Sequence, residues 1–206
     1  MFHSLVKTRS AVAPDALRAD APGAYPATYQ PGGFTRPLPQ PYVLNVTGLV
    51  AQPQAFTLKD LAELGDGVYE GRLVSADGWS YHSRWDAVLL KRLIDRVQPL
   101  PEAQYLNQTD LQGRTEWLAL SHVRNSNALL CTGERGQPLA PLYGGPLSLM
   151  LFDRYSYKGL GQLATLDFAA TPAENPEGQR RGHAAEGRIV PGDYYAFDQK
   201  ASRRVG

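Results

Sequence analysis

Tyr42-Val-Leu-Asn-Val-Thr-Gly-Leu-Val50 is the first stretch of the chain with a clear period. Tyr42, Leu44 and Val46 alternate with Val43, Asn45 and Thr47, the two-residue repeat of a strand with one buried face. Gln52-Pro53-Gln54 then predicts a turn. Thr57-Leu-Lys-Asp60 matches the capping-box pattern, with Leu58, Leu61 and Leu64 on one face and Gly65 at the end, so a short helix is expected. Val68 to Ser75 predicts another strand.

Further along, Trp85 to Val97 predicts a helix. Leu89, Leu90, Leu93, Ile94 and Val97 form its apolar stripe, and Pro99 and Pro101 forbid continuation. Gln104 to Gln108 and Thr115 to Leu120 predict paired strands around a turn at Gln112-Gly113. Ser121 is read as the cap of a short helix reaching Leu130, and Thr132 to Pro146 as a loop. Pro146 to Phe152 and Gln162 to Phe168 predict the last good strands. Arg188 to Phe197 reads as a strand or a wrapping arm. Short helices among many strands, without regular alternation, imply an α+β fold that is mainly β.

The flanks differ in composition. Residues 1–41 hold seven of the sixteen prolines and no period, so they read as an irregular arm. Its aromatics Tyr25, Tyr29 and Phe34 favour an arm laid on the domain surface. The expected organisation is this arm, a domain over 42–170, and a wrapping tail over 171–206.

Composition narrows the function. The formal charge is +1, from 21 basic and 20 acidic residues, so no basic field argues for nucleic acid. No stretch approaches the roughly 20 apolar residues that span a bilayer, so no membrane partner is expected. The start of the chain lacks an apolar secretory core, and Arg9 and Arg18 stand too far apart for a twin-arginine signal, so the expectation is cytoplasmic. One cysteine, Cys131, excludes an intramolecular disulfide framework and any Cys-rich metal site. It reads as a small buried hydrophobe. His3, His82, His122 and His183 lack metal-pair spacing, and no nucleophile elbow, P-loop or dinucleotide fingerprint occurs. Read alone, Ser75 is an ordinary strand-end serine, Gly144-Gly145 a turn, and Lys158 a surface lysine. Catalytic residues cannot be assigned from the sequence.

Several segments in order resemble the molybdopterin-binding domain of the sulfite oxidase superfamily. Tyr42 to Val50 with Phe56-Thr-Leu-Lys-Asp-Leu is similar to that domain's opening. Arg72-Leu-Val-Ser-Ala-Asp-Gly-Trp-Ser80, followed by Trp85 and Leu89-Leu90, resembles the family's "Cys-Val-Glu-Gly-Trp-Ser … Trp-x-Gly-Val-Pro-Leu". Gly136-Gln-Pro-Leu139 and Tyr143-Gly-Gly-Pro-Leu-Ser-Leu149 resemble "Gly-x-Pro-Leu … His-Gly-Gly-Pro-Leu-Arg-Leu". Tyr155-Ser-Tyr-Lys-Gly-Leu-Gly-Gln-Leu163 resembles "Tyr-Gly-Tyr-Lys-Ser-Val-Lys-Trp-Leu", and Gly187-Arg-Ile-Val-Pro-Gly-Asp-Tyr-Tyr resembles the tail of bacterial members.

The resemblance implies a molybdopterin cofactor (the molybdenum cofactor), oxidoreductase activity and oxygen-atom transfer. It places Ser75 where the family has its metal-ligand cysteine, so Ser75 is the implied metal ligand. Gly144, Gly145, Arg154 and Lys158 join Ser75 as implied cofactor-binding residues. Three departures remove positive or protonatable groups. Ser148 replaces an arginine, Gly161 a lysine and Tyr143 a histidine. The alternative is a degenerate member of the fold that binds another ligand or a protein partner without molybdenum. The expected partners are a small-molecule or anionic ligand and a protein or redox partner, the tyrosines Tyr143, Tyr155, Tyr157, Tyr194 and Tyr195 being interface candidates.

Overall fold

In the computed structural model of the protein, residues 37–206 are described. The arm expected over 1–41 lies almost wholly outside them. The described chain is mainly β with short helices, as expected.

A five-stranded sheet holds the first strand. β1 (Val43–Gly48) pairs antiparallel with β2 (Gln54–Thr57) and parallel with β10 (Leu163–Ala169). β5 (Tyr105–Asp110) and β6 (Thr115–Ala119) complete the order β2-β1-β10-β5-β6. Leu44 and Val46 are buried on the face that alternation selected, and the Tyr42 hydroxyl donates to the Leu163 carbonyl. α1 (Leu58–Glu63) starts at the expected capping box. Asp60 N–H donates to Thr57 Oγ1 at 3.2 Å, and Thr57 N–H donates to Asp60 Oδ2 at 2.8 Å.

The second sheet is built on β4 (Trp79–Leu89). β3 (Asp66–Val74) runs antiparallel along one edge. The other edge is shared by β7 (Leu129–Glu134) and β11 (Gly192–Ala196), the latter parallel at Tyr195–Trp79 and Ala196–Ser80. β12 (Ala201–Val205) extends β11, while β8 (Gln137–Pro138) and β9 (Ser148–Met150) pair with β7. α2 (Leu90–Val97) and α3 (Leu120–Asn125) pack beside the sheets, and α4 (Glu177–Arg180) opens the tail.

Two sequence expectations are corrected. The helix read from Trp85 begins only at Leu90, because Trp85 and Ala87 are strand residues. Both are fully buried and alternate with Arg84 and Asp86. Pairing on both edges of β4 overrides the helical propensity of the leucine-rich run that follows. The helix read from Ser121 to Leu130 stops at Asn125, and Ala119 is the residue before it. Leu129 and Leu130 open β7 instead, so Cys131 lies in a central strand rather than at a helix end. It is fully buried, and burial pushes its thiol up to about 12. It is therefore the inert hydrophobe that its composition suggested.

The tail is part of the sheet. β11 and β12 bracket a turn from which Asp198 reaches back to Arg72, with bidentate bonds of 2.9 and 2.8 Å, and to the His82 N–H at 3.0 Å. Tyr155, Tyr157 and Tyr194 are buried together, so they are packing residues rather than an exposed interface.

Candidate functional site

Ser75 follows β3 directly, in the turn that leads to β4. The turn is closed by Ser75 N–H to the Trp79 carbonyl at 2.8 Å and by Gly78 N–H to the Ser75 carbonyl at 3.1 Å. Gly78 takes φ +96, a conformation that suits glycine. The Ser75 hydroxyl accepts from Asp77 N–H at 3.0 Å and donates to Asp77 Oδ2 at 3.1 Å. Its single proton is therefore engaged. Arg181 stands 3.7 Å from the same Asp77 oxygen. Ser75, Asp77, Trp79, Tyr157, Arg181 and His183 border a cavity of about 20 Å³.

Gly144 and Gly145 close a 3-10 turn over Pro141–Tyr143. Both N–H groups point back into that turn, Gly144 to the Pro141 carbonyl and Gly145 to the Ala140 carbonyl, each at 3.0 Å. The glycines are dictated by the backbone. Gly144 has φ +91, and a Cβ on Gly145 would lie 1.7 Å from the Leu139 oxygen. Tyr143 and Ser148 border a second cavity of about 20 Å³. Ser156 lines both hollows, so the two small voids flank one wall.

Lys158 ends the 3-10 turn Ser156–Lys158 and is buried. Its Nζ donates to Glu116 Oε1 at 2.6 Å and to the Ala185 carbonyl at 2.8 Å, and lies 4.3 Å from the Trp117 ring centroid. Glu116 also accepts from Trp117 N–H at 2.9 Å and Gly178 N–H at 3.0 Å. Burial pulls the lysine below its ordinary pKa, with Glu116 acting the other way. The outcome is a paired, hydrogen-bonded charge. Arg154 donates to the Asp153 carbonyl at 2.9 Å and to the Asp153 carboxylate at 3.1 Å, and its other terminal nitrogen is 3.3 Å from His122 Nδ1.

The cover over these groups is the segment from α4 to Gly187. Tyr157 donates to the Ala184 carbonyl at 2.5 Å and stacks on His183 with centroids 4.7 Å apart. Tyr155 N–H donates to the Gly187 carbonyl at 2.8 Å. Burial first, then the Glu116 charge, pushes the Tyr157 phenol up to about 12, so it remains a neutral donor.

The pterin cofactor implied by the sequence does not fit these residues as they stand. About 20 Å³ accommodates roughly one water molecule. The five residues singled out from the sequence fall into separate settings, each with an internal partner. Ser75 is bonded to Asp77, Gly144 and Gly145 to their own turn, Arg154 to Asp153, and Lys158 to Glu116. Among the described residues, no group of three or more His, Cys, Asp or Glu is placed to hold a metal ion.

Sequence reasoning missed Glu116, while the covering segment falls within the wrapping tail expected over 171–206. Glu116 had one legible signal, since it directly precedes the apolar run Trp117-Leu118-Ala119 in a predicted strand. A carboxylate among buried residues demands a cation, and Lys158 was the lysine set in an aromatic, glycine-rich motif.

The family model described as the oxidoreductase molybdopterin binding domain matches residues 33–177, well over half of the chain. The Gluconobacter oxydans protein-methionine-sulfoxide reductase catalytic subunit MsrP is 29% identical over 142 residues, covering 59% of this chain and 45% of its own length. Its counterpart in Ralstonia nicotianae is 27% identical over 148 residues, covering 63% and 44%. The chain thus spans less than half the length of these relatives. Among solved structures, the sulfane dehydrogenase SoxCD of Paracoccus pantotrophus aligns with a TM-score of 0.60 at 18% identity. That alignment covers 65% of this chain and 39% of the other, and it establishes a shared fold.

Proposed function

Because the chain belongs to the oxidoreductase molybdopterin-binding domain family, we propose that it keeps the family's scaffold but builds no metal centre on it, and serves as a binding domain. The observation that carries this reading is the engagement of Lys158. The cation offered to a cofactor is paired with Glu116 beneath Ala185. The segment from Gly178 to Gly187 that covers it lies beyond the residues matched by the family model. Ser75 adds to this. An alcohol is a harder donor than a thiolate and must lose a high-pKa proton to ligate. Here that proton already serves Asp77.

Elemental analysis and pterin fluorescence test the reading, using protein purified from cells that make the molybdenum cofactor. The expected result is trace molybdenum and pterin in both the wild type and Ser75→Cys. Stoichiometric molybdenum in the wild type would overturn it. Loading of Ser75→Cys alone would mean that the hollow survives and only the ligand was lost.

A second reading is an oxygen-atom-transfer oxidoreductase working with a redox partner. It is favoured by the family match and by the likeness to the two MsrP proteins, which are catalytic subunits of protein-methionine-sulfoxide reductases. It requires the segment from α4 to Gly187 to withdraw and Ser75 to release Asp77. Stoichiometric cofactor, together with reduction of a methionine sulfoxide substrate, is its signature.

A further inference from the structure

An open groove lies away from Ser75, on the face of the β3–β4 pair opposite Trp85 and Ala87. Its volume is about 570 Å³, within the usual range for small-ligand sites. Strand alternation puts His82, Arg84 and Asp86 of β4 on this face. Their antiparallel partners are Arg72, Glu70 and Val68. The other wall is the β7–β8 turn at Arg135 and Gly136.

That turn is fastened to β4. Arg135 N–H donates to the Arg84 carbonyl at 2.9 Å, and Gly136 N–H to Asp86 Oδ2 at 2.7 Å. The β4–β7 register shifts between Asp86 and Ala87, the kind of irregularity that re-aims a side chain. Arg135 itself takes φ +53, an unfavourable conformation for a side chain other than glycine or asparagine. Its Nε donates to Ser83 Oγ at 3.1 Å and lies 3.7 Å from Glu134 Oε1, while the side chain stays 62% exposed at the rim of the groove.

Apart from the long contact of Arg135 with Glu134, the charges that line this groove are not paired with one another. Glu70 and Arg84 are direct cross-strand partners, both exposed, yet no ion pair joins them. Asp86 has one oxygen engaged by Gly136. Val68, 55% exposed, supplies an apolar patch beside them. Two guanidiniums, two carboxylates and one aliphatic surface share one concavity. A simple anion or a simple cation would meet repulsion from half of this set. A molecule with a cationic and an anionic end on a short apolar chain meets attraction at both ends.

We infer that this groove binds a small zwitterion, with its acidic end on Arg84 and Arg135 and its basic end on Glu70 and Asp86. This goes beyond the reading of the Ser75 site and does not depend on it. The test is an amide-shift titration of the full isotope-labelled chain with 4-aminobutanoate, butanoate and butylamine. The expected result is saturable shifts at 68–70, 82–86 and 135–136 with 4-aminobutanoate. The two single-ended probes are expected to bind at least about tenfold more weakly. Arg84→Gln is expected to weaken the zwitterion about tenfold, while Lys59→Gln on α1 leaves it unchanged. Equal shifts from all three probes, or no saturation by about 50 mM 4-aminobutanoate, would overturn the inference. Molybdenum content of the same samples reads the Ser75 proposal separately.

Discussion

The Ser75 region and the β3–β4 groove are both polar, but they treat charge in opposite ways. Around Lys158, charged groups are buried and matched atom for atom by Glu116, Ala185 and Gly178. In the groove, Glu70 and Arg84 lie side by side in solvent without closing a pair. The difference separates two uses of polar residues. Buried pairs are parts of the packing, and removing one partner strands the other in a low-dielectric setting. Exposed, unpaired charges add little to stability and remain available to a ligand.

The sharpest way to break this contrast is at Lys158. Lys158→Met leaves Glu116 buried without its cation, and the expected loss is about 3–5 kcal/mol in urea unfolding. Adding Glu116→Gln to that variant is expected to restore part of the loss. If Lys158→Met unfolds like the wild type, the lysine is not a structural charge and is free for a ligand.

Gly145→Ala comes next. A methyl group would meet the Leu139 oxygen at 1.7 Å, so the turn must shift. A loss of about 2–4 kcal/mol in thermal or urea unfolding is expected. A neutral result would mean that the glycine is kept for something other than the close approach.

Asp198 offers a smaller, pH-dependent effect. Its burial alone would raise the carboxyl, but the Arg72 and His82 bonds and the Arg72 charge outweigh it and hold the group below 3.8. A carboxyl depressed in the folded state stabilises fully above its unfolded value and loses that contribution as pH falls through the folded one. Asp198→Asn is therefore expected to cost about 1–3 kcal/mol at neutral pH and less in acid, flattening the acid limb of stability. Urea midpoints across pH 2–7 measure it.

The smallest effect belongs to the groove. Arg84→Gln and Glu70→Gln are each expected to change stability by less than about 0.5 kcal/mol. A larger loss would make the groove charges structural and erase the contrast.

The local signals in the sequence were informative where a single element satisfied them. The Tyr42–Val46 alternation and the Thr57–Asp60 cap are local, and the chain obeys both. Trp85-Asp-Ala-Val-Leu was misread because its apolar residues satisfy a strand period and a helix period together. Only β3 and β7 on the two edges of β4 decide between them. The family could be read from ordered motifs, but the state of the site could not. Lys158 and Glu116 are 42 residues apart, and Ala185 is a further 27 along. No periodicity links such positions, so the partner of the lysine emerges only in three dimensions.

The parallel seam between β11 and β4 has a consequence for how the molecule is made. A nascent chain that has left the ribosome as far as residue 177 carries every strand of the five-stranded sheet. Yet β4 still lacks its neighbour at Trp79 and Ser80, Arg72 lacks Asp198, and Lys158 lacks the Ala185 carbonyl. Synthesis runs from the N-terminus, so the smaller sheet can form while translation continues. The larger one is completed only once β11 and β12 have been made and have joined it.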